Sequence, residues 1–186
     1  MAGRSRGKLQ LWCAMCAALL LSLQFSAQAE ELSAYDVKAA LIYNFLKFVE
    51  LPAANAGTHI AVCTLSSSPG FDPLKSIEGK EVSGKLIRTA SRTPGESLET
   101  CQVLFVHESA SKNLSFLRNS GSGIFTIGES SGFCQLGGIV NFYLQDKKVR
   151  FEINAEAARS SGVTVSSKLM RIAGALTQPT AIPTDK

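Results

Sequence analysis

The chain has 186 residues, of which 19 are Lys or Arg and 15 are Asp or Glu, giving a formal net charge of +4. This length suits one domain with a single hydrophobic core and is too short for a two-lobed solute-binding protein. The charged residues are dispersed rather than clustered, which argues against a nucleic-acid-binding surface.

The first 29 residues predict a secretory signal peptide. Three basic residues precede an apolar run from Leu11 to Leu23, and Ala27-Gln28-Ala29 then has the small-residue pattern of a cleavage site. The alternative, an uncleaved membrane anchor, needs about 20 apolar residues, and this run is shorter. Export from the cytoplasm is therefore expected. Removing the leader takes away three basic residues and no acid, which leaves 16 basic residues against 15 acidic ones.

The next segment predicts a helix over Ser33 to Leu51. Ser33 and Asp36 form an S-x-x-D start, and Pro52 provides the stop. Apolar residues recur at spacings of three and four, which predicts a buried stripe, although a dimer or partner-docking face remains the alternative. The stripe comprises Val37, Ala40, Leu41, Phe45, Phe48 and Val49, widened by Ile42 and Leu46.

The middle of the chain alternates between predicted strands and helices. Strands are expected at 60–65, 86–90, 103–107 and 124–127, with helices at 71–77 and 112–118. Such alternation is typical of a largely parallel sheet that is covered on both faces.

The stretch from Ser131 to Ala158 predicts a Gly-rich loop, two strands and the start of a helix. Polar and apolar residues alternate on both sides of a turn at Asp146 and Lys147, which predicts an antiparallel hairpin. Asn154 suits an N-cap, and Ser166 suits the cap of a last helix. The fold class is therefore a single α/β domain over 30–176, with a mostly parallel sheet, helices on both faces and a C-terminal antiparallel hairpin. A disordered tail is expected at 177–186.

Catalytic patterns are weak. Gly128-Glu129-Ser130-Ser131-Gly132 matches G-x-S-x-G, but a nucleophile elbow must run into a helix, and here another strand follows. The two histidines, His59 and His107, both precede Ser130, and with scattered cysteines they offer no metal-ligand spacing. We therefore predict no enzyme, no metal and no cofactor, with an enzyme of unrecognised type as the alternative.

Four motifs in order resemble the YfiR family of bacterial periplasmic regulators. They are the segments Tyr35–Ala40 and Phe48–Pro52, the pattern G-F-C-x-x-G-G-x-x-x-F from Gly132, the pattern V-R-F-E-I-N-x-x-A-A from Val149, and S-S-K-L at Ser166 to Leu169. The residues that carry the central patterns, which we assign structural roles, are Gly132, Gly137, Gly138, Arg150, Phe151 and Asn154.

Three cysteines lie beyond the leader, so three pairings are open. Cys63 lies in the first predicted strand and Cys101 lies two residues before the third, and the family often has a cysteine pair at these two places. The resemblance thus implies a Cys63–Cys101 disulfide, which would stabilise the fold by roughly 3 to 4 kcal/mol. Cys134 stays outside this bridge. Some relatives have a cysteine seven residues later, where this chain has Asn141.

The resemblance implies a repressor. Such a protein would bind the periplasmic part of an inner-membrane diguanylate cyclase, hold it inactive, and so lower cyclic-di-GMP and restrain biofilm formation, with a homodimer expected. The expected partner surface contains Phe133, Cys134, Phe142 and Tyr143. The alternative function is a small-molecule sensor that acts with a histidine kinase or a receptor system, with its ligand at the strand ends beside the Gly-rich loop.

Overall fold

A computed structural model describes residues 34–52, 57–68, 70–112, 114, 117, 123–173 and 175–177. The chain divides into two compact units, 1–35 and 36–186. Of the first unit only residues 34 and 35 are described, and both are helical. The predicted signal peptide, most of the predicted helix 112–118 and residues 178–186 lie outside the described residues. No helix in the described part is long and apolar enough to cross a membrane.

The described residues form strands, helices and 3-10 turns. Helix α1 covers residues 34–45, and the other helices are α2 (Ala155–Ser160) and α3 (Ser167–Ile172). The 3-10 turns are Lys75–Ile77 and Glu108–Ala110. The strands are β1 (Val49–Glu50), β2 (His59–Leu65), β3 (Glu81–Val82), β4 (Lys85–Arg92), β5 (Val103–Val106), β6 (Phe125–Gly128), β7 (Val140–Gln145), β8 (Lys148–Asn154), β9 (Thr164–Val165) and β10 (Ala175–Thr177).

Eight of these strands form one sheet in the order β10-β8-β7-β6-β5-β2-β4-β3. Pairing is parallel from β4 through β2, β5 and β6 to β7, and again between β8 and β10. It is antiparallel between β3 and β4 and between β7 and β8. The mixed α/β domain with a mostly parallel sheet is thus confirmed. Helices on both faces remain a prediction.

The first helix ends earlier than predicted. Residues 46 and 47 form a turn, and β1 then pairs antiparallel with β9, so the predicted helix end at Leu51 is wrong. The buried stripe is also shifted: Ala39, Ile42, Phe45 and Leu46 are buried, whereas Val37 is 45% exposed. Packing of Phe45 against two aromatic rings of the hairpin, whose centroids lie 5.9 and 4.7 Å from its own, determines which face turns inward.

The core lies around β5 and β6, which are buried along their whole lengths. Both strands have a parallel neighbour on each side, which explains why β5 is a continuous apolar run rather than an alternating one. Phe105 of β5 approaches Phe142 of β7 with ring centroids 6.5 Å apart. This contact joins the middle of the sheet to the hairpin.

The Cys63–Cys101 disulfide is confirmed. The two Cα atoms lie 5.7 Å apart, and the bridge connects β2 to the residue two positions before β5. In the parallel register Cys63 faces Leu104, so the bridge joins β2 to the segment that leads into β5. Cys134 is outside the bridge and is fully buried.

The local signals in the C-terminal half are borne out. Asp146 and Lys147 both have positive φ (50° and 59°), as a two-residue hairpin turn between twisted strands requires. Asn154 caps α2 by accepting a hydrogen bond from the backbone N–H of Ala157 at 2.9 Å, and Ser166 caps α3. Strand β10 was not predicted, and it includes Thr177, the first residue of the expected tail.

Candidate functional site

The loop between β6 and β7 is built around one buried phenylalanine. The Phe133 side chain has no exposed surface and lies against two glycines. A Cβ atom at Gly138 would stand 2.1 Å from its Cδ1, and one at Gly128 would stand 2.3 Å from its Cγ. Side chains at these two positions are therefore excluded. Gly137 is needed for its backbone conformation, with φ of +104°.

Burial changes the interpretation of the expected partner surface. Phe133 and Cys134 are 0% exposed and Phe142 is 2% exposed, so these three side chains cannot contact a partner directly. They hold the loop and the hairpin from inside. Tyr143 is half-buried and does reach the surface, next to Leu144, which is 70% exposed.

The remaining motif residues fix the hairpin against the loop. Asn154 donates from Nδ2 to the backbone oxygen of Cys134 at 2.8 Å, in addition to capping α2. Phe151 packs on Phe45, whereas Arg150 is exposed opposite Tyr143. Gly132 adopts a φ of +75° where the loop turns. Asn154 and Phe151 thus take part in the packing of the hairpin, and Gly132 takes part in the turn of the loop.

A cavity of about 570 Å³ lies beside this loop. Asn141 and Tyr143 of β7 and Glu152 of β8 line it, together with loop residues that include Ser130, Gly132 and Gln135. Asn141 is 4% exposed and donates from Nδ2 to Glu152 Oε1 at 3.2 Å. Lys38, Glu108 and Glu129 complete the charged part of the lining.

A largely buried ion pair lines the cavity at the carboxyl end of β6. Lys38 Nζ lies 2.5 Å from Glu129 Oε2, with side-chain exposures of 14% and 7%. The backbone N–H of Glu108 donates to the other carboxylate oxygen at 3.1 Å, and His107 Nε2 lies 3.5 Å from that oxygen. Glu129 therefore joins α1, the end of β5 and the end of β6.

His107 stands between this carboxylate and a serine. Its Nδ1 accepts from the backbone N–H of Ser109 at 3.1 Å and lies 2.7 Å from Ser109 Oγ. Since Nδ1 accepts, the proton of the neutral ring belongs on Nε2, which faces Glu129. The order serine, histidine, carboxylate resembles a catalytic relay. However, Ser109 Oγ also accepts from the backbone N–H of Ser67 at 3.0 Å, and Ser109 is not among the residues that line the cavity.

The sequence-predicted catalytic pattern does not form a nucleophile elbow. After β6, residues 131–137 make successive turns and no helix, so Ser130 lacks the strand-turn-helix setting. Within the described part of the chain, His, Cys, Asp and Glu form no group of three or more that could hold a metal ion. The histidine–carboxylate network was missed in the sequence because Lys38 and Glu129 are 91 residues apart. The local sequence signal for this network is Glu129, a charged residue directly after the buried strand β6.

The sequence profile of a family described as YfiR/HmsC-like matches residues 35–174. This match covers most of the chain, including α1, the disulfide, the loop and the hairpin. No curated protein matches the chain.

Proposed function

The chain belongs to the YfiR/HmsC-like family, and we propose that it binds the periplasmic part of an inner-membrane diguanylate cyclase and represses it. Family membership indicates a periplasmic regulator of cyclic-di-GMP signalling. The match over 35–174 is the observation that carries the proposal. Repression lowers cyclic-di-GMP and restrains biofilm formation.

Export through a cleaved leader is part of the proposal. The basic, apolar and A-x-A segments of the first 29 residues support it. The Cys63–Cys101 disulfide also supports it, because such bonds form and persist in the oxidising periplasm.

Repression acts as a binding equilibrium. A regulator that prefers the inactive state of the cyclase by about 2.7 kcal/mol shifts that equilibrium a hundredfold. Release of the regulator restores synthesis of cyclic-di-GMP. Repression of this kind requires no catalytic reaction by the regulator.

The hairpin end is the proposed partner surface. Leu144 is 70% exposed and Leu136 of the loop is 39% exposed, with half-buried Tyr143 beside Leu144 on β7. An exposed apolar side chain anchors a protein contact when it belongs to a larger apolar patch, and the proposal takes these residues to form one. Phe133, Cys134 and Phe142 are buried within the loop and the hairpin and do not form part of this surface. A homodimer is also proposed, and Val37 on the outward side of α1 is available for its interface.

Site-specific photocrosslinking tests the partner. We expect p-benzoylphenylalanine in place of Leu144 to capture an inner-membrane protein that carries a diguanylate cyclase domain. The same replacement of Leu86, which is 43% exposed on β4, is the matched control and should not capture it. Equal capture from both positions, or capture of no cyclase from Leu144, contradicts the proposed surface.

The cavity favours a second candidate function, that of a small-molecule sensor acting with a histidine kinase or receptor system. Its volume of about 570 Å³ falls within the range of about 300 to 1,000 Å³ typical of ligand sites. A ligand-induced rise in melting temperature of the purified protein would support this function.

A further inference from the structure

Strand β7 has a neighbour on both sides for only part of its length. Its last pair with β6 joins Gly128 to Asn141, whereas its pairing with β8 continues to Gln145. Beyond Asn141, no strand in the described part of the chain pairs with β7 on the side away from β8. The segment 142–145 therefore has an open edge, which is about 13 Å long at about 3.3 Å per residue.

The backbone of Leu144 directs its hydrogen-bonding groups towards this open edge. Across the hairpin, the backbone N–H of Asn154 donates to the backbone oxygen of Ile139 at 2.8 Å. Hydrogen-bonded pairs recur at every second residue of an antiparallel ladder, so Tyr143 and Gln145 are the next β7 residues that bond to β8 in this way. The N–H and C=O of Leu144 therefore point away from β8. Such groups on a strand edge are a template for another strand.

The cavity of about 570 Å³ lies along this edge rather than over one face of the sheet. It contacts four successive residues of β7, 141–144. Since successive side chains of a strand point to opposite faces, a space that reaches all four lies beside the strand. The opposite wall is the segment 129–132, which leaves the sheet after the last pair between β6 and β7. The cavity thus occupies the place that a longer β6 would fill.

The exposed side chain at this edge is apolar. Alternation places Leu144 on the same face of β7 as Phe142, whose ring stacks on Phe45 of α1. Phe142 is 2% exposed, whereas Leu144 is 70% exposed. A strand added beside β7 would cover Leu144 with a side chain of its own on the same face.

We propose that an extended segment of a partner protein binds in this cavity as an added strand beside β7. Its backbone N–H and C=O groups pair with those of Leu144, and one of its apolar side chains lies against the Leu144 side chain. A second copy of this chain fits less well, because its β7 comes with β8 attached and the cavity is bounded by 129–132. Such binding rests on the proposed regulator function and specifies the kind of partner segment that is held.

Peptide selection on the purified protein tests this edge without any cyclase. Random 12-residue peptides displayed on phage are selected on the exported protein, purified from the periplasm, and one selected peptide is then synthesised. In an added strand, alternate N–H groups face β7 and the others face solvent. N-methylation of one alternate set should therefore weaken binding about tenfold or more, and N-methylation of the other set should change it by less than about twofold. Equal effects of the two sets, or selection of no peptide, overturns the proposal.

Two proline variants of the hairpin locate the bound peptide. Leu144→Pro removes the N–H that faces the cavity, and Val149→Pro is the matched control, because Val149 pairs with Leu144 and its N–H faces the opposite edge of the hairpin. Fluorescence anisotropy should show peptide binding weakened about tenfold or more in Leu144→Pro and changed by less than about twofold in Val149→Pro. Leu144→Ala keeps the N–H and should weaken binding less than Leu144→Pro. Equal weakening in both proline variants, or none in Leu144→Pro, contradicts the proposed site.

Two further readouts separate the alternatives. Far-UV circular dichroism verifies folding, and the N-methylated peptides, which are measured on the unaltered chain, decide the question if a proline variant does not fold. Sedimentation velocity tests the second-copy occupant: an oligomeric state that is the same in Leu144→Pro and the parent is expected, and a dimer that becomes a monomer in this variant overturns the proposal. Failure of peptide binding leaves repression of a cyclase open, since cyclic-di-GMP content tests repression separately.

Discussion

Replacing Gly138 by Ala should destabilise the domain through one steric contact. The new Cβ would stand 2.1 Å from Phe133 Cδ1 and Cε1, far inside van der Waals distance. Gly138 does not have a positive φ, so backbone strain adds nothing to the cost. The Phe133 ring is fully buried and cannot swing into solvent. Overpacking of this kind costs about 1 to 3 kcal/mol, and we expect the upper half of that range.

A double-mutant cycle isolates this contact. Phe133→Ala alone should cost about 3 to 5 kcal/mol by leaving a cavity. In that background the added cost of Gly138→Ala should fall to within about 0.5 kcal/mol of zero, because the ring is gone. Gly57→Ala is the matched control, since its Cβ would meet nothing closer than 3.9 Å.

Urea unfolding of the exported protein measures both effects. Circular dichroism is the suitable signal, because the single Trp of the chain, Trp12, lies in the predicted leader. A change of less than about 0.5 kcal/mol for Gly138→Ala, or the same cost with and without the Phe133 ring, would refute the reasoning.

Three further predictions concern the disulfide, a helix cap and a surface carboxylate. Replacing Cys63 and Cys101 together by Ala should lower the free energy of unfolding by about 4 kcal/mol, because the bridge closes a sequence separation of 38 in the chain-entropy model. Reductant should have no further effect on the stability of this variant. An unchanged urea midpoint would contradict the prediction. Asn154→Ala should lower the free energy of unfolding by at least about 1 to 2 kcal/mol in the same assay, because it removes the cap of α2 and the hydrogen bond to the loop. A decrease below about 0.5 kcal/mol would show that neither hydrogen bond contributes to stability. The backbone N–H of Thr89, followed by the neighbouring guanidinium group, lowers the pKa of Glu78 below its usual 4.5. The ionised Glu78 carboxylate therefore stabilises the folded state above the unfolded-state pKa, and this stabilisation is lost as pH falls through the folded-state pKa. Glu78→Gln should reduce the fall in melting temperature below pH 4.5. The same dependence of melting temperature on pH in the variant and the parent protein would count against this.

The hairpin and the caps were predictable because their signals are local. Alternation with a period of two identifies the strands, and the turn at Asp146 and Lys147 sets their register. The side chains of Asn154 and Ser166 bond to backbone N–H groups three residues away. No distant partner is needed for any of these features.

The end of α1 was not predictable from its own segment. Helical spacing continues through Phe48 and Val49, yet the chain leaves the helix because Val49 pairs with Val165, more than a hundred residues later. A tertiary contact therefore overrides the local pattern. Tertiary packing likewise explains why the buried stripe of α1 differs from the predicted one, because Phe45 packs on the hairpin.

The candidate site was only partly predictable. An aromatic residue in a Gly-rich loop suggested exposure, whereas Gly128 and Gly138 make the space in which Phe133 is buried. The Lys38–Glu129 pair connects distant segments, so only the folded chain shows it. The family resemblance supplied the regulatory role, and burial shows which of the motif side chains can reach a partner.

Cyclic-di-GMP content tests the proposed repression most directly. It should be measured in the parent strain, in cells that lack this gene, and in those cells re-expressing either the whole chain or a form without residues 1–29. We expect deletion to raise cyclic-di-GMP and the whole chain to restore the parental level, while the leaderless form leaves it high because it does not reach the periplasm. An unchanged level on deletion, or restoration by the leaderless form, would contradict repression of a membrane cyclase from the periplasm.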